Sequence, residues 1–117
     1  MNAQQVGNLI ARSGPYRVSN EAALHADISD VIARSNLVAW SEYRASDRDR
    51  FDFFIDGGIC VELKVKGQGR AILKQLERYA ALDCVSAILL VTLKALEVPA
   101  DIGGKPVYVV NLGRQWL

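Results

Sequence analysis

A β-hairpin signal in the middle of the chain limits the possible folds more than any other feature of the sequence. Two apolar runs, residues 51–55 and 59–65, flank the turn Asp56-Gly57-Gly58. A three-residue loop pairs Ile55 with Ile59, and glycine in its last position suits the left-handed conformation that such loops require. Because side chains alternate along a strand, this register predicts one wholly apolar face. That face consists of Phe51, Phe53, Ile55, Ile59, Val61, Leu63 and Val65.

The opposite face of the hairpin is predicted to carry charge. The same register places Asp52 directly across from Glu62, with Lys64 two residues further along. An ordinary solvated face would show the same pattern of Asp, Glu and Lys, since exposed hairpin faces are commonly charged. Opposed carboxylates are unfavourable without a positive group between them, and helices on both sides of the hairpin in sequence predict that both faces are covered. Buried Asp and Glu oxygens together suit Mg²⁺.

The rest of the chain predicts a compact mixed α/β domain. Residues 21–34 and 70–82 have helical apolar spacing, and Ser19 or Asn20 can cap the first of these helices. Strands are predicted at 37–43, 86–93 and 107–110, a short helix at 3–12 and a loop over 94–104. No linker or repeat divides residues 1–117, so we predict a single domain.

Composition excludes several classes of protein. Fourteen Lys and Arg residues against thirteen Asp and Glu give a net charge of +1, so the chain is not a polycation and any nucleic-acid contact depends on where its charges lie. Two cysteines form no CxxC pair or disulfide framework. No apolar run approaches the roughly 18 residues that span a bilayer. We therefore expect a cytoplasmic, intracellular and soluble protein with no membrane partner.

Several motifs together resemble the PD-(D/E)XK nuclease superfamily. Asp52, nine intervening residues and then Glu62-Leu63-Lys64 resemble its signature, although Phe51 stands where proline is usual. Glu21 matches an acidic residue that many members carry on the preceding helix. Gln75 and Tyr79 match the QxxxY motif of the RecB-like and related branches. The resemblance covers about residues 19–93, and a small stand-alone domain of this kind is similar to Holliday junction resolvases and VRR-NUC domains.

The resemblance implies a restriction-endonuclease-like core (α-β-β-β-α-β), here with an added C-terminal strand. It implies Mg²⁺ or Mn²⁺ held by Asp52, Glu62 and the Val61 carbonyl, with Glu21 binding directly or through water. Lys64 would position or deprotonate the attacking water or neutralise charge in the transition state, and we favour the electrostatic role. The implied activity is a DNA endonuclease, selective for branched or flapped DNA, that acts as a homodimer because cutting two strands needs two sites.

Supporting residues remain open to two interpretations. Gln75 and Tyr79, one helical turn apart, would steady Lys64 or contact a phosphate, or else only pack. His25, four residues after Glu21, can face the metal but is more often a surface residue on a helix. The basic residues around the site either contact DNA or form a salt-linked exterior. Those predicted to bind nucleic acid are Lys66, Arg70, Lys74, Arg50, Arg48 and Arg78.

The alternative to an enzyme is a non-catalytic nucleic-acid or protein-binding module that retains the nuclease fold. The presence together of Glu21, Asp52, Glu62 and Lys64 argues against it, since a retired site is free to lose them. Trp40 is predicted to lie in the core and Cys60 to be a small buried residue. Trp116 is predicted to seal a sheet edge or a dimer contact.

Overall fold

The computed structural model describes residues 1–113, which form three helices and six strands. In chain order they are α1 (Ala3–Arg12), α2 (Glu21–Arg34), β1 (Ala39–Arg44), β2 (Arg50–Ile55), β3 (Ile59–Lys64), α3 (Gly69–Ala80), β4 (Ala87–Thr92), β5 (Asp101–Ile102) and β6 (Lys105–Asn111). The predicted helices at 3–12 and 21–34 are confirmed without a change of boundary. The predicted loop 94–104 contains the short strand β5, and Trp116 lies outside the described residues.

Asparagine side chains begin the two N-terminal helices. Asn2 and Gln5 form a capping box, in which each side chain bonds the other residue's backbone N–H at 2.8 Å. Oδ1 of Asn20 accepts a hydrogen bond from the N–H of Ala23 at 2.8 Å, so Asn20 is the cap of α2. Asn36 follows the helix in the left-handed region (φ 62°), which asparagine tolerates well. These local signals fix the start of α2.

The strands form one mixed sheet in the order β1-β2-β3-β4-β6-β5. β2 pairs antiparallel with both β1 and β3, whereas β3 and β6 pair parallel with β4. The predicted pairing of Ile55 with Ile59 is confirmed, and Gly58 in the last loop position has φ 86°. The hairpin therefore forms with the predicted turn, and β3 lies in the middle of the sheet.

Helices cover both faces of the sheet. On one face, α1 and α2 pack over a core that includes Phe53, Val61 and Leu63. On the other, α3 packs over a second core that includes Cys60, which is fully buried as predicted. The predicted α/β class, a mixed sheet flanked by helices, is confirmed. None of the helices within residues 1–113 has the length and apolarity needed to cross a membrane.

The predicted apolar face of the hairpin is wrong at one position, Phe51. Phe53 lies in the core beneath α2, but Phe51 lies in the core beneath α3, where its ring centroid is 4.8 Å from that of Tyr79. Simple alternation would put both phenylalanines on the same face. The strand rotates between them, and the change occurs next to Asp52.

Trp40 also departs from prediction, since it is 47% exposed instead of buried. It lies on the edge strand β1, where it and Tyr43 both pack against Phe54, with ring centroids 6.3 and 4.6 Å away. Residues three apart share a face here because Glu42 between them has φ 51°. A left-handed residue rotates the strand locally and breaks the alternation that the sequence pattern assumes.

Candidate metal and phosphate-binding site

The predicted site residues lie where β2 begins and β3 ends. The described β2–β3 ladder reaches only to Phe53 and Val61. Beyond that point a side chain replaces the backbone as the partner of β3: Oδ2 of Asp52 accepts a hydrogen bond from the N–H of Leu63 at 2.7 Å. This corrects the prediction of Asp52 and Glu62 as an opposed pair within the ladder. Val61 is the last residue of β3 that pairs with β2, whereas the pairing with β4 continues to Lys64. The ligand role of the Val61 carbonyl stays a prediction.

Glu62 is a buried carboxylate that is only partly satisfied. Its exposed fraction is 4%, and its Oε2 lies 3.1 Å from Nζ of Lys64. Its Oε1 is buried without a hydrogen-bond partner among the described residues. Burial, followed by the negative charge of Asp52, raises the pKa of Glu62 to about 8, against the lowering effect of Lys64. An unused buried carboxylate oxygen is suited to a hard cation.

Asp52 lies in a similar electrostatic environment. Burial raises its pKa, the hydrogen bond from Leu63 and the charges of His25 and Lys64 lower it, and Glu42 raises it. The two predicted metal ligands, Asp52 and Glu62, therefore both have raised pKa values. A cation at this end of the sheet would favour the charged form of both groups.

Glu21, the third predicted acidic residue, connects α2 to the end of β3. It is the first residue of α2, where a carboxylate also suits the helix dipole. Its Oε1 accepts a hydrogen bond from the N–H of Val65 at 3.1 Å, which uses one of its two oxygens. Thr92 holds the same end of β3 from the other side, because its Oγ1 donates to the Lys64 carbonyl at 2.8 Å. Hydrogen bonds from α2 and from β4 thus hold the C-terminal end of β3 in place.

Two clefts open on either side of the end of β3. The acidic cleft, about 290 Å³ in volume, takes its polar lining from Glu21, His25, Glu42 and Asp52. The basic cleft, about 300 Å³, takes its polar lining from Lys64, Lys66, Gln68, Gln75 and Arg78. Successive residues of β3 serve different clefts, since Leu63 lines the acidic cleft and Lys64 the basic one.

Gln75 and Tyr79 form a hydrogen-bonded chain from α3 to β2. Nε2 of Gln75 donates to the Tyr79 hydroxyl at 2.8 Å, and that hydroxyl donates to the carbonyl of Arg50 at 3.1 Å. Tyr79 is 1% exposed, and burial is the main cause that raises its pKa. These contacts are those of a packing residue that positions the start of β2, while Gln75 lines the basic cleft. A direct role in catalysis stays a prediction for both.

The predicted nucleic-acid-binding residues divide into groups. Lys66 and Arg78 line the basic cleft, and Nε of Arg78 lies 3.2 Å from Oδ1 of the buried Asp49. Arg70 and Lys74 are exposed on α3. Two of these four residues thus share the basic cleft with Lys64, and three of the four belong to α3.

Arg48 and Arg50 lie apart from the basic cleft. With Arg44 they line a separate cavity at the turn between β1 and β2. The turn is closed by Asp49, whose carbonyl accepts hydrogen bonds from the N–H groups of Ala45 and Ser46 at 2.9 and 3.3 Å. The ion pair between Asp49 and Arg78 connects this turn to the basic cleft, and the nucleic-acid contacts of the six residues stay a prediction.

Glu42 is the site residue that the sequence interpretation missed. It lies on β1 beside His25, with Oε1 of Glu42 3.2 Å from Nε2 of His25. The β1–β2 register, which pairs Ser41 with Phe53 and Tyr43 with Phe51, sets Glu42 opposite Asp52. The β1–β2 register is the signal that could have identified Glu42, but no hairpin turn in the sequence fixes that register.

Comparisons of the chain with models of protein families, with curated proteins and with solved structures find no match.

Proposed function

We propose that the chain is a metal-dependent DNA endonuclease that hydrolyses phosphodiester bonds, with the restriction-endonuclease-like core that the PD-(D/E)XK resemblance implies. One observation carries the proposal: Glu62 is buried with an oxygen that has no hydrogen-bond partner within residues 1–113, and Lys64 and Asp52 lie beside it. A buried carboxylate of this kind is costly to a fold, which makes a structural role alone a poor explanation.

The donor set fits a hard divalent cation. Asp52 and Glu62 would hold it, the Val61 carbonyl would add a ligand, and Glu21 would bind directly or through a water. Carboxylate and carbonyl oxygens are the ligands that Mg²⁺ and Mn²⁺ prefer. When bound, the ion supplies Lewis-acid polarisation of the phosphate and acidifies a water.

Lys64 would act on the negative charge that develops on the phosphate. Its side chain is 20% exposed, so water screens its ammonium group less than that of a surface lysine. The ion pair with Glu62 fixes its position before substrate binds, and such preorganisation is the main source of electrostatic catalysis. Positioning of the attacking water by the same amine remains the alternative role.

The basic cleft and the exposed basic residues of α3 would receive the sugar-phosphate backbone. Lys66 and Arg78 line the basic cleft with Lys64, and Arg70 and Lys74 are exposed on α3. A positive surface of this kind binds phosphates without reading sequence. We propose DNA as the substrate, with a preference for branched or flapped structures. We also propose a homodimer, which would bring two sites to the two strands.

A cleavage assay tests the proposal against a non-catalytic binding module. Supercoiled plasmid, linear duplex, flap and four-way-junction DNA would be incubated with the protein, with and without Mg²⁺ or Mn²⁺. We expect metal-dependent cleavage that Lys64→Ala and Asp52→Asn both abolish. Asp30→Asn is the matched control, because Asp30 is an exposed carboxylate of α2 outside both clefts. DNA binding without cleavage, unchanged by Lys64→Ala and Asp52→Asn, would overturn the enzyme and support the module.

A further inference from the structure

Three potential metal ligands from three different elements meet in the acidic cleft. His25 comes from α2, Glu42 from β1 and Asp52 from β2, and one ligand atom of each lies within 4.8 Å of the others. Nε2 of His25 lies 3.2 Å from Oε1 of Glu42 and 3.3 Å from the carbonyl oxygen of Asp52. One imidazole nitrogen and several oxygens thus converge at one point.

The His25 ring is held in place. It stacks on Phe53 with ring centroids 4.3 Å apart and an interplanar angle of 21°. Phe53 belongs to the core beneath α2, so the imidazole rests on a rigid surface. A ligand whose orientation is fixed before binding loses less conformational entropy when an ion arrives.

The acidic residues around Asp52 carry more charge than one divalent ion can balance. With Glu21, Glu42, Asp52 and Glu62 ionised their charge is −4, and Lys64 reduces it to −3. One divalent ion leaves −1, whereas two leave +1. A second ion therefore reverses the sign of the charge on this group of residues.

We infer that His25, Glu42 and Asp52 form a second cation position that selects a transition metal such as Mn²⁺ over Mg²⁺. Imidazole suits transition metals, whereas Mg²⁺ takes oxygen ligands and dehydrates reluctantly. Asp52 is shared with the position that Glu62 completes, so the inference rests on the proposed function for that neighbouring ion. Its own ligand set, which includes Glu42 from the edge strand, does not depend on cleavage.

The simplest competing arrangement is an ion pair, in which a protonated His25 donates to Glu42. The two arrangements place the His25 proton differently: an ion pair needs a proton on Nε2, and metal binding excludes one. Nitrogen coupling to bound Mn²⁺ separates them, because only metal binding joins the imidazole nitrogen to the ion.

Mn²⁺ binding to the full chain, measured by electron paramagnetic resonance without DNA, tests the inference. We expect two Mn²⁺ per chain at pH 7.5, reduced to one in both His25→Gln and Glu42→Gln. A hundredfold excess of Mg²⁺ should displace one Mn²⁺ and leave the other. Pulsed measurements should show nitrogen coupling to Mn²⁺ that disappears in His25→Gln. Glu77→Gln, which changes an exposed carboxylate on α3, is the control and should keep two ions.

Each outcome bears on one proposal or the other. Unchanged stoichiometry in both variants, or no nitrogen coupling in the wild type, overturns the second cation position. Cleavage with unchanged stoichiometry would support the nuclease and overturn the second cation position. The opposite result is two bound Mn²⁺, with one lost in each variant, but no cleavage of any DNA. It would support the cation position and overturn the proposed nuclease activity. Thermal unfolding of each variant confirms that it is folded.

Discussion

The acidic and basic clefts lie on either side of one strand end, yet they balance their charges differently. In the basic cleft each of two cations has a buried carboxylate beneath it: Lys64 pairs with Glu62, and Arg78 pairs with Asp49. In the acidic cleft three carboxylates share a single histidine within the described residues. Two of the three cations of the basic cleft are therefore compensated by the protein itself, whereas the acidic cleft is left with excess negative charge.

This difference assigns the two clefts different partners. Preformed ion pairs keep Lys64 and Arg78 in fixed positions, which suits recognition of a phosphate without reorganisation. Uncompensated carboxylates gain most from a cation that comes from solution. Glu62 belongs to both systems, since it bonds Lys64 while its pKa responds most, among charged groups, to Asp52. The contrast between the clefts thus converges on one buried side chain.

Replacing Glu62 with the isosteric glutamine is expected to have the largest effect. Glu62→Gln removes the charge that links the clefts, and we expect cleavage to fall by about 10²–10³-fold or more, in the range seen when one preorganised electrostatic group is lost. Rates on the preferred DNA at saturating Mn²⁺ measure it. Glu97→Gln, an exposed carboxylate outside the two clefts, should cleave at the wild-type rate. Wild-type activity in Glu62→Gln would contradict the role of Glu62 as a metal ligand.

Without metal, Glu62 should make folding stability depend on pH. Its folded pKa of about 8 lies above the ordinary value of 4.5. A raised carboxyl pKa means that the folded state holds the proton more tightly, so the contribution is full below pH 4.5 and declines until pH 8. We expect a loss on the order of 5 kcal/mol, or about 20 °C in Tm, across this range in EDTA.

Two comparisons sharpen that result. In Glu62→Gln the decline between pH 4.5 and 8 should be much smaller, because of the two buried carboxyl groups with raised pKa only Asp52 remains. The variant should melt above the wild type at pH 8.5. Mn²⁺ at a hundred times the Kd of a site should restore about 2.7 kcal/mol per occupied site to the wild type at that pH, since it binds only the folded state. An equally steep decline in Glu62→Gln would mean that other groups, not this carboxylate, carry the excess charge.

Lys66→Ala should weaken DNA binding without changing its selectivity. Lys66 is an exposed residue of the basic cleft, and loss of one phosphate contact reduces the slope of log K against log salt by about 1. The affinity should fall several-fold for every DNA structure alike. Binding titrations at several salt concentrations in EDTA test this, with Lys94→Ala as a control. A change confined to one DNA structure would instead make Lys66 a selectivity residue.

Much of this arrangement could be predicted because it rests on local signals. The turn Asp56-Gly57-Gly58 set the pairing of Ile55 with Ile59, and a capping asparagine set the start of α2. These signals placed Glu62 and Lys64 at one end of β3. They act over a few residues and are strong enough that tertiary packing does not override them.

What could not be predicted depends on a local break in the strand pattern. Glu42 adopts φ 51°, a conformation that nothing in the sequence indicates. The alternation of side chains along β1 and β2 changes at this point. Phe51 consequently moves to the α3 side, and Asp52 leaves the ladder to bond Leu63. Sequence periodicity assumes uniform alternation, so it placed Asp52 opposite Glu62 and overlooked its neighbour Glu42. The part of the site that was missed is the part where the backbone is irregular.

Tyr79→Phe should give the smallest effect, and one on stability more than on activity. The Tyr79 hydroxyl links Gln75 to the carbonyl of Arg50, so its loss leaves a buried carbonyl without this donor. We expect a cost of about 1 kcal/mol, or about 5 °C in Tm, with cleavage changed less than about threefold. Tyr43→Phe is the matched control: no hydrogen bond of its hydroxyl occurs within residues 1–113, and its Tm should stay within about 2 °C. An unchanged Tm with cleavage reduced tenfold in Tyr79→Phe would contradict the packing role. That result would indicate that the hydroxyl acts on the phosphate in the basic cleft. A residue that only holds β2 in place changes stability, whereas one that acts on the phosphate changes activity.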